Sequence, residues 1–140
     1  MRRPPPGAAA RDHRGVGVRL RQTSLNFAER LVEAGRFVFD ERDAWSEHQP
    51  SAQAENDFIA REGWLEYANW HLAIDDDEKP ETKAHYKFPY GDFAAVHRCG
   101  VLSAESRAGQ RKYFDVENAA AHLHGAIDAA QMAILGRRDD

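Results

Sequence analysis

Residues 70–90, WHLAIDDDEKPETKAHYKFPY, place two apolar stretches around a run of charge, with a histidine in each flank and three aspartates between them. Trp70, Leu72 and Ile74 alternate with Asn69, His71 and Ala73, and Tyr86, Phe88 and Tyr90 alternate with His85, Lys87 and Pro89. An apolar period of two is that of a half-buried β-strand. The spacing predicts two strands joined by a charged connector, with the aromatic sides on one core and both histidines on the opposite side, in solvent. Gly91-Asp92 is turn chemistry, and Ala94, Val96 and Arg98 outline a third short strand. Pro89 cannot donate to a ladder and points to an edge or a strand end. A small three-stranded antiparallel sheet is expected.

Outward from the sheet the apolar period changes to that of helices. Leu25, Ala28, Leu31 and Val32 recur at helical spacing behind Ser24, a residue suited to accept a backbone N–H at a helix start, and Gly35 suits a left-handed exit. A helix over about 24–35 follows. Phe37 and Phe39 then alternate, Pro50-Ser51 opens a short helix carrying Ala52, Glu55 and Ile59 that ends at Gly63, and Trp64, Tyr67 and Ala68 continue for another turn. Beyond Cys99 the pattern is helical again: Val101, Leu102, Glu105 and Ala108, then Val116, Ala120, Leu123 and Ile127. The fold class expected is α+β, a three-stranded antiparallel sheet against roughly four helices. One domain over 23–132 is expected, with a frayed end at 133–140.

The first 22 residues differ from the rest. They hold six arginines against Asp12, three consecutive prolines and no apolar period, so a disordered basic arm is expected over 1–22. GVGV at 15–18 lacks the lysine and hydroxyl residue of a phosphate loop. The chain of 140 residues has a net charge of -4, so the part beyond the arm is more acidic than this total and repels nucleic-acid phosphates. Nucleic acid is a partner only through the arm. Cys99 is the one cysteine, which forbids an intramolecular disulfide and fits a reducing compartment. No apolar run is long enough for a membrane span and no secretory apolar region opens the chain, so no membrane partner and a cytoplasmic location are expected.

Several residues invite a chemical reading. His71, Asp75, Asp77 and His85 would make a zinc or iron site, and a small metal-dependent hydrolase or nuclease, if the histidines faced each other across paired strands. Their phase opposite the aromatic side argues for exposure instead. A calcium loop counted from Asp75 meets Pro80 and Tyr86 where glycine and glutamate are needed. His97 and Cys99 share a face if both lie on a strand, a spacing that permits a thiolate and imidazolium pair without specifying one. His122 and His124 point apart on a helix. Carboxylate pairs drawn from Asp40, Glu41, Asp43, Asp57, Glu62 and Glu66 are not distinguished from chance among 23 acidic residues. No catalytic residue and no cofactor is assigned. Trp64, Tyr67, Trp70, Tyr86, Phe88 and Tyr90 are read as packing or partner-interface rings.

NFAERLVEAGRFVFDERDAWS at 26–46, GWLEYANWHLAID at 63–75, PETKAHYKFPYGDFAAVHRCGVLSAESRAGQ at 80–110 and ENAAAHLHGAID at 117–128 resemble a segment of tailed-phage and prophage head maturation (prohead) proteases and related capsid-gene products. The resemblance implies a non-catalytic interaction domain linked to head morphogenesis, with a capsid, protease or scaffold protein as partner. It supplies no catalytic residue, and Asp-Phe-Ala-Ala at 92–95 departs from the shorter glycine-containing turn of that pattern.

Overall fold

The two strands flanking the charged connector form and pair with each other. In the computed structural model, which describes residues 17–139, β3 (His71–Asp75) runs antiparallel to β4 (Tyr86–Pro89), with His71 opposite Pro89 and Ala73 opposite Lys87. The third strand is not residues 94–98. It is β1 (Val18–Leu20), which pairs antiparallel with β3, Arg19 opposite Ile74. Backbone bonds from Asp76 N to the Gly17 carbonyl at 2.6 Å and from Arg21 N to the Leu72 carbonyl at 2.8 Å hold its two ends. Residues 17–22 are therefore ordered, while residues 1–16 of the expected arm lie outside the described residues. A strand of three residues with a central arginine is too short to carry a readable period.

Residues 96–97 form β5 (Val96–His97), paired in parallel with β2 (Phe37–Val38): Phe37 faces Val96 and Val38 faces His97. The tight turn before β5 explains its departure from the antiparallel sheet. The Asp92 carboxylate accepts the amides of Ala94 and Ala95 at 2.9 and 2.7 Å, and Gly91 bridges Val96, so the chain doubles back before Val96.

Around these strands lie α1 (Gln22–Glu33), α2 (Trp45–His48) after a 3-10 turn at Arg42–Ala44, α3 (Ala52–Glu62), α4 (Trp64–Asn69), α5 (Arg98–Gln110) and α6 (Phe114–Asp139). The fold is α+β. Ser51 caps α3 by accepting the Ala54 amide at 3.1 Å, and Gly35 and Gly63 adopt the positive φ values of 77° and 87° expected at helix exits. Ser24 does not cap α1. It lies inside the first turn, fully buried, and donates to the Ala68 carbonyl at 2.9 Å, tying α1 to α4. The core joins Leu25, Ala28, Leu31 and Val32 of α1 to Val116, Ala120, Leu123 and Ile127 of α6. The last helix continues through Asp139, so residues 133–139 of the expected frayed end are helical, and its outer part exposes Met132 and Leu135. Among the described residues no helix is long and apolar enough to cross a membrane.

The largest departure concerns the phase of β3. His71, Leu72 and Ala73 are all buried, so both faces of this strand are covered. On the side expected to meet water, α4 brings the Tyr67 ring to 4.4 Å from the His71 ring, with Tyr86 at 6.1 Å. Alternation distinguishes one side of a strand from the other, but it does not show that a second layer will cover a polar-looking side.

Candidate metal centre

The parallel pairing of β2 with β5 builds a site that neither strand contains alone. Val38 faces His97, and two residues further along each chain Asp40 reaches Cys99, whose amide donates to Asp40 Oδ1 at 2.7 Å. The 3-10 turn at 42–44 and α2 then fold the following segment back, so that His48 Nδ1 lies 2.7 Å from Asp40 Oδ2. His97 Nδ1 approaches the same oxygen at 2.7 Å and the Cys99 thiol donates to it at 3.0 Å. Cys99 Sγ and His48 Nδ1 are 3.8 Å apart. One ligand atom from each of Asp40, His48, His97 and Cys99 therefore lies within 4.8 Å of the other three.

Surroundings hold these groups in place. His97 Nε2 donates to Asp92 Oδ2 at 2.8 Å, and Asp92 is itself fixed by the Ala94 and Ala95 amides. Arg98 donates to the Asp40 carbonyl at 3.3 Å and to Asp128 at 2.9 Å while stacking over Phe39. The Trp45 ring lies 6.2 Å from that of His97 and covers Gly100, where a Cβ would sit 2.9 Å from the indole and 2.8 Å from the Tyr90 carbonyl. Only glycine allows α5 to begin so close to Trp45. Cys99 is fully buried and the Asp40 and His97 side chains are 8% and 9% exposed, whereas His48, at 37%, forms the outer edge.

Charge follows from these contacts. Burial acts to raise the Asp40 pKa, but hydrogen bonds from the Cys99 thiol, His97, the Cys99 amide and His48 prevail and bring it down to about 2. Burial opposes a charge on His97, yet hydrogen bonds to Asp92 and Asp40 and their negative charges raise its pKa, favouring the protonated ring between the two carboxylates. Burial pushes the Cys99 thiol up to about 12, helped by the Asp40 hydrogen bond and charge. Such a thiol is protonated and enclosed, the reverse of what a cysteine nucleophile needs.

Every buried side-chain polar atom among the described residues has a hydrogen-bond partner, so the cluster is a satisfied network as it stands. Its composition is what points to a metal. A thiol, two imidazoles and a carboxylate are the donors of zinc and related transition metals, whereas calcium and magnesium take oxygen. Ligand bonds of about 2.0–2.3 Å place tetrahedral donors roughly 3–4 Å apart. Cys99 Sγ and His48 Nδ1 already have that spacing at 3.8 Å, whereas Asp40 Oδ2, 2.7 Å from both imidazole nitrogens, would have to draw back to admit an ion. The Asp92–His97 bond is the outer carboxylate that commonly orients a ligating histidine.

The residues proposed from sequence lie elsewhere. His71 is buried and donates from Nδ1 to the Tyr67 carbonyl at 2.8 Å; His85 is also buried, its Nδ1 2.9 Å from the Glu78 carbonyl. Neither imidazole is outside in water, because α4 covers one and the connector folds over the other. Asp75 accepts the Asp77 amide at 3.0 Å. Among the described residues the group of three or more ligand atoms in common reach contains none of these four. Of the six aromatic residues named for a partner surface, Tyr67, Trp70 and Tyr90 are buried in the core, while Trp64, Tyr86 and Phe88 are half-buried against it. Of the arginines in the basic arm, Arg19 pairs with Asp76 at 2.6 Å and Arg21 donates to Asn69 and Ser24; Arg2, Arg3, Arg11 and Arg14 lie outside the described residues. The His97–Cys99 spacing was the one legible trace of the centre. Asp40 and His48 join it through a strand register that no local pattern announces.

No family model, curated protein or solved structure matches the chain, and so none links it to the phage head-maturation proteins.

Proposed function

We propose that the protein binds one transition-metal ion, zinc foremost, through Asp40 Oδ2, His48 Nδ1, His97 Nδ1 and Cys99 Sγ. The observation that carries this reading is the convergence of four zinc-type donor atoms within 4.8 Å. With four protein ligands the ion has no open position for a substrate, so its role is structural: it fastens the segment 40–48 to the start of α5. Binding displaces the Cys99 proton and the second proton of His97, so affinity rises with pH. The partner-binding role implied by the phage resemblance draws less support, since half of the aromatic surface named for it is inside the core.

Metal analysis of the full chain purified without chelator tests the reading. One zinc per chain is expected, and cobalt should replace it with a thiolate charge-transfer band and the visible bands of a tetrahedral centre. Both signals should vanish in Cys99→Ser and His97→Ala. Substoichiometric metal together with an octahedral, thiolate-free cobalt spectrum would sink the proposal.

A further inference from the structure

A cavity of about 320 Å³ opens between β4 and the end of α5, lined by no member of the metal centre. Three cationic side chains border it: Lys87 from β4, and Arg107 and Arg111 from the last turn and C-cap of α5. Asp75 is the one carboxylate at its wall, and it already accepts the Asp77 amide. Among the described residues the ion pairs of arginine and lysine involve Arg19, Arg61, Lys83 and Arg98, so none of the three cations forms a direct ion pair with a described residue. The negative end of the helix dipole favours Arg107 and Arg111 where they are. It does not account for Lys87, which reaches the same cavity from a strand in a chain of net charge -4. Like charges around one concavity repel each other and focus a field that attracts an anion.

The remaining wall is built from Val18, Tyr86, Phe88, Pro89 and Tyr113. Phe88 and Tyr113 meet edge to face with ring centres 6.1 Å apart. Phe88 has φ of 63°, a left-handed conformation that a bulky side chain rarely takes and that concentrates at ligand sites. Arginine forks suit the paired oxygens of a phosphate or carboxylate, and the rings suit a planar body. The volume is at the small end of ligand pockets. We propose that this cavity binds a small organic anion, a phosphate or carboxylate head on a single flat ring.

The test is an amide NMR titration of the full chain with phenyl phosphate, benzoate and neutral benzyl alcohol, run once with zinc and once with chelator. The two conditions separate this site from the metal reading: the cavity's response should be the same in both. Phenyl phosphate or benzoate is expected to shift the Lys87, Phe88 and Tyr113 amides saturably, and which of them binds more tightly identifies the head group. Arg107→Gln/Arg111→Gln, both exposed and so compatible with folding, should weaken binding at least about tenfold, as loss of charge-assisted hydrogen bonds does. Lys87→Gln should weaken it in the same direction. The proposal is overturned if neither anion moves these amides at millimolar concentration, if benzyl alcohol binds as well as the anions, or if the double variant binds as tightly as the parent.

Discussion

His71 and His97 are both buried, 2% and 7% exposed, and their pKa values are displaced in opposite directions. His71 lies among aromatic rings with one backbone carbonyl as its partner, and burial pushes its pKa down to about 4 despite that hydrogen bond. His97 lies between Asp40 and Asp92, whose hydrogen bonds and charges overcome the same penalty and raise its pKa. Burial alone does not set the charge of an imidazole; the partners that share the burial do. The first histidine therefore serves as a neutral core residue. The second belongs to the hydrogen-bonded cluster of Asp40, His48, Asp92 and Cys99.

The sharpest challenge to this contrast is Asp40→Ala in chelator-treated protein. The substitution leaves the Cys99 amide and thiol without their acceptor and His97 with one carboxylate. Breaking a buried ionic arrangement from one side costs about 3–5 kcal/mol, to be read from urea unfolding at neutral pH. A cost near that of an exposed substitution would mean that His97 is not held as an ion.

A second measurement varies pH and concerns His71. Its unfolded pKa of 6.5 lies above its folded value of about 4, so the unfolded chain binds the extra proton between these values. Stability should be full above pH 6.5 and fall as pH drops towards 4, by roughly 3 kcal/mol at most. Asp40, held down to about 2, stays ionised throughout this window. Unfolding curves at pH 7 and pH 4.5 for the parent and His71→Phe isolate the effect, since the variant should lack this part of the slope. Equal slopes would place a proton on His71 in the folded protein and erase the contrast.

The smallest expected effect refines the other side of the comparison. Asp92→Asn keeps the size of the side chain but replaces the charge that orients His97. Zinc affinity should fall about 10–100-fold, measured by competition with a chromophoric chelator, while stoichiometry stays at one. An unchanged affinity would show that Asp92 merely shapes the turn before β5.

Legibility in the sequence tracked the range of the interactions involved. α3, α4 and α6 were readable because their start signals and apolar spacing are local: Ser51 before Ala52, Gly63 before Trp64, and Val116 to Ile127 along one face. Strands β3 and β4 were readable for the same reason. Strand β1 was not, being three residues long, and the parallel pairing of β2 with β5 was not, because two-residue strands carry no period and their register depends on the Asp92 turn. The candidate metal centre inherits that second difficulty. His97 and Cys99 are neighbours in sequence, whereas Asp40 arrives from 57 residues before His97. The inward turn of His71 was hidden because its cover, Tyr67, belongs to a helix whose own pattern gives no sign of what it will lie on.

That separation of 57 residues has an energetic corollary. An ion shared by Asp40 and His97 would cross-link the chain around α3, α4, β3 and β4, and closing a ring of that size restricts the unfolded ensemble by roughly 4 kcal/mol on the chain-entropy model. A protein with a single cysteine cannot obtain such a constraint from a disulfide. A coordinated metal would provide it in reversible form, released by chelation or acid rather than by a reductant.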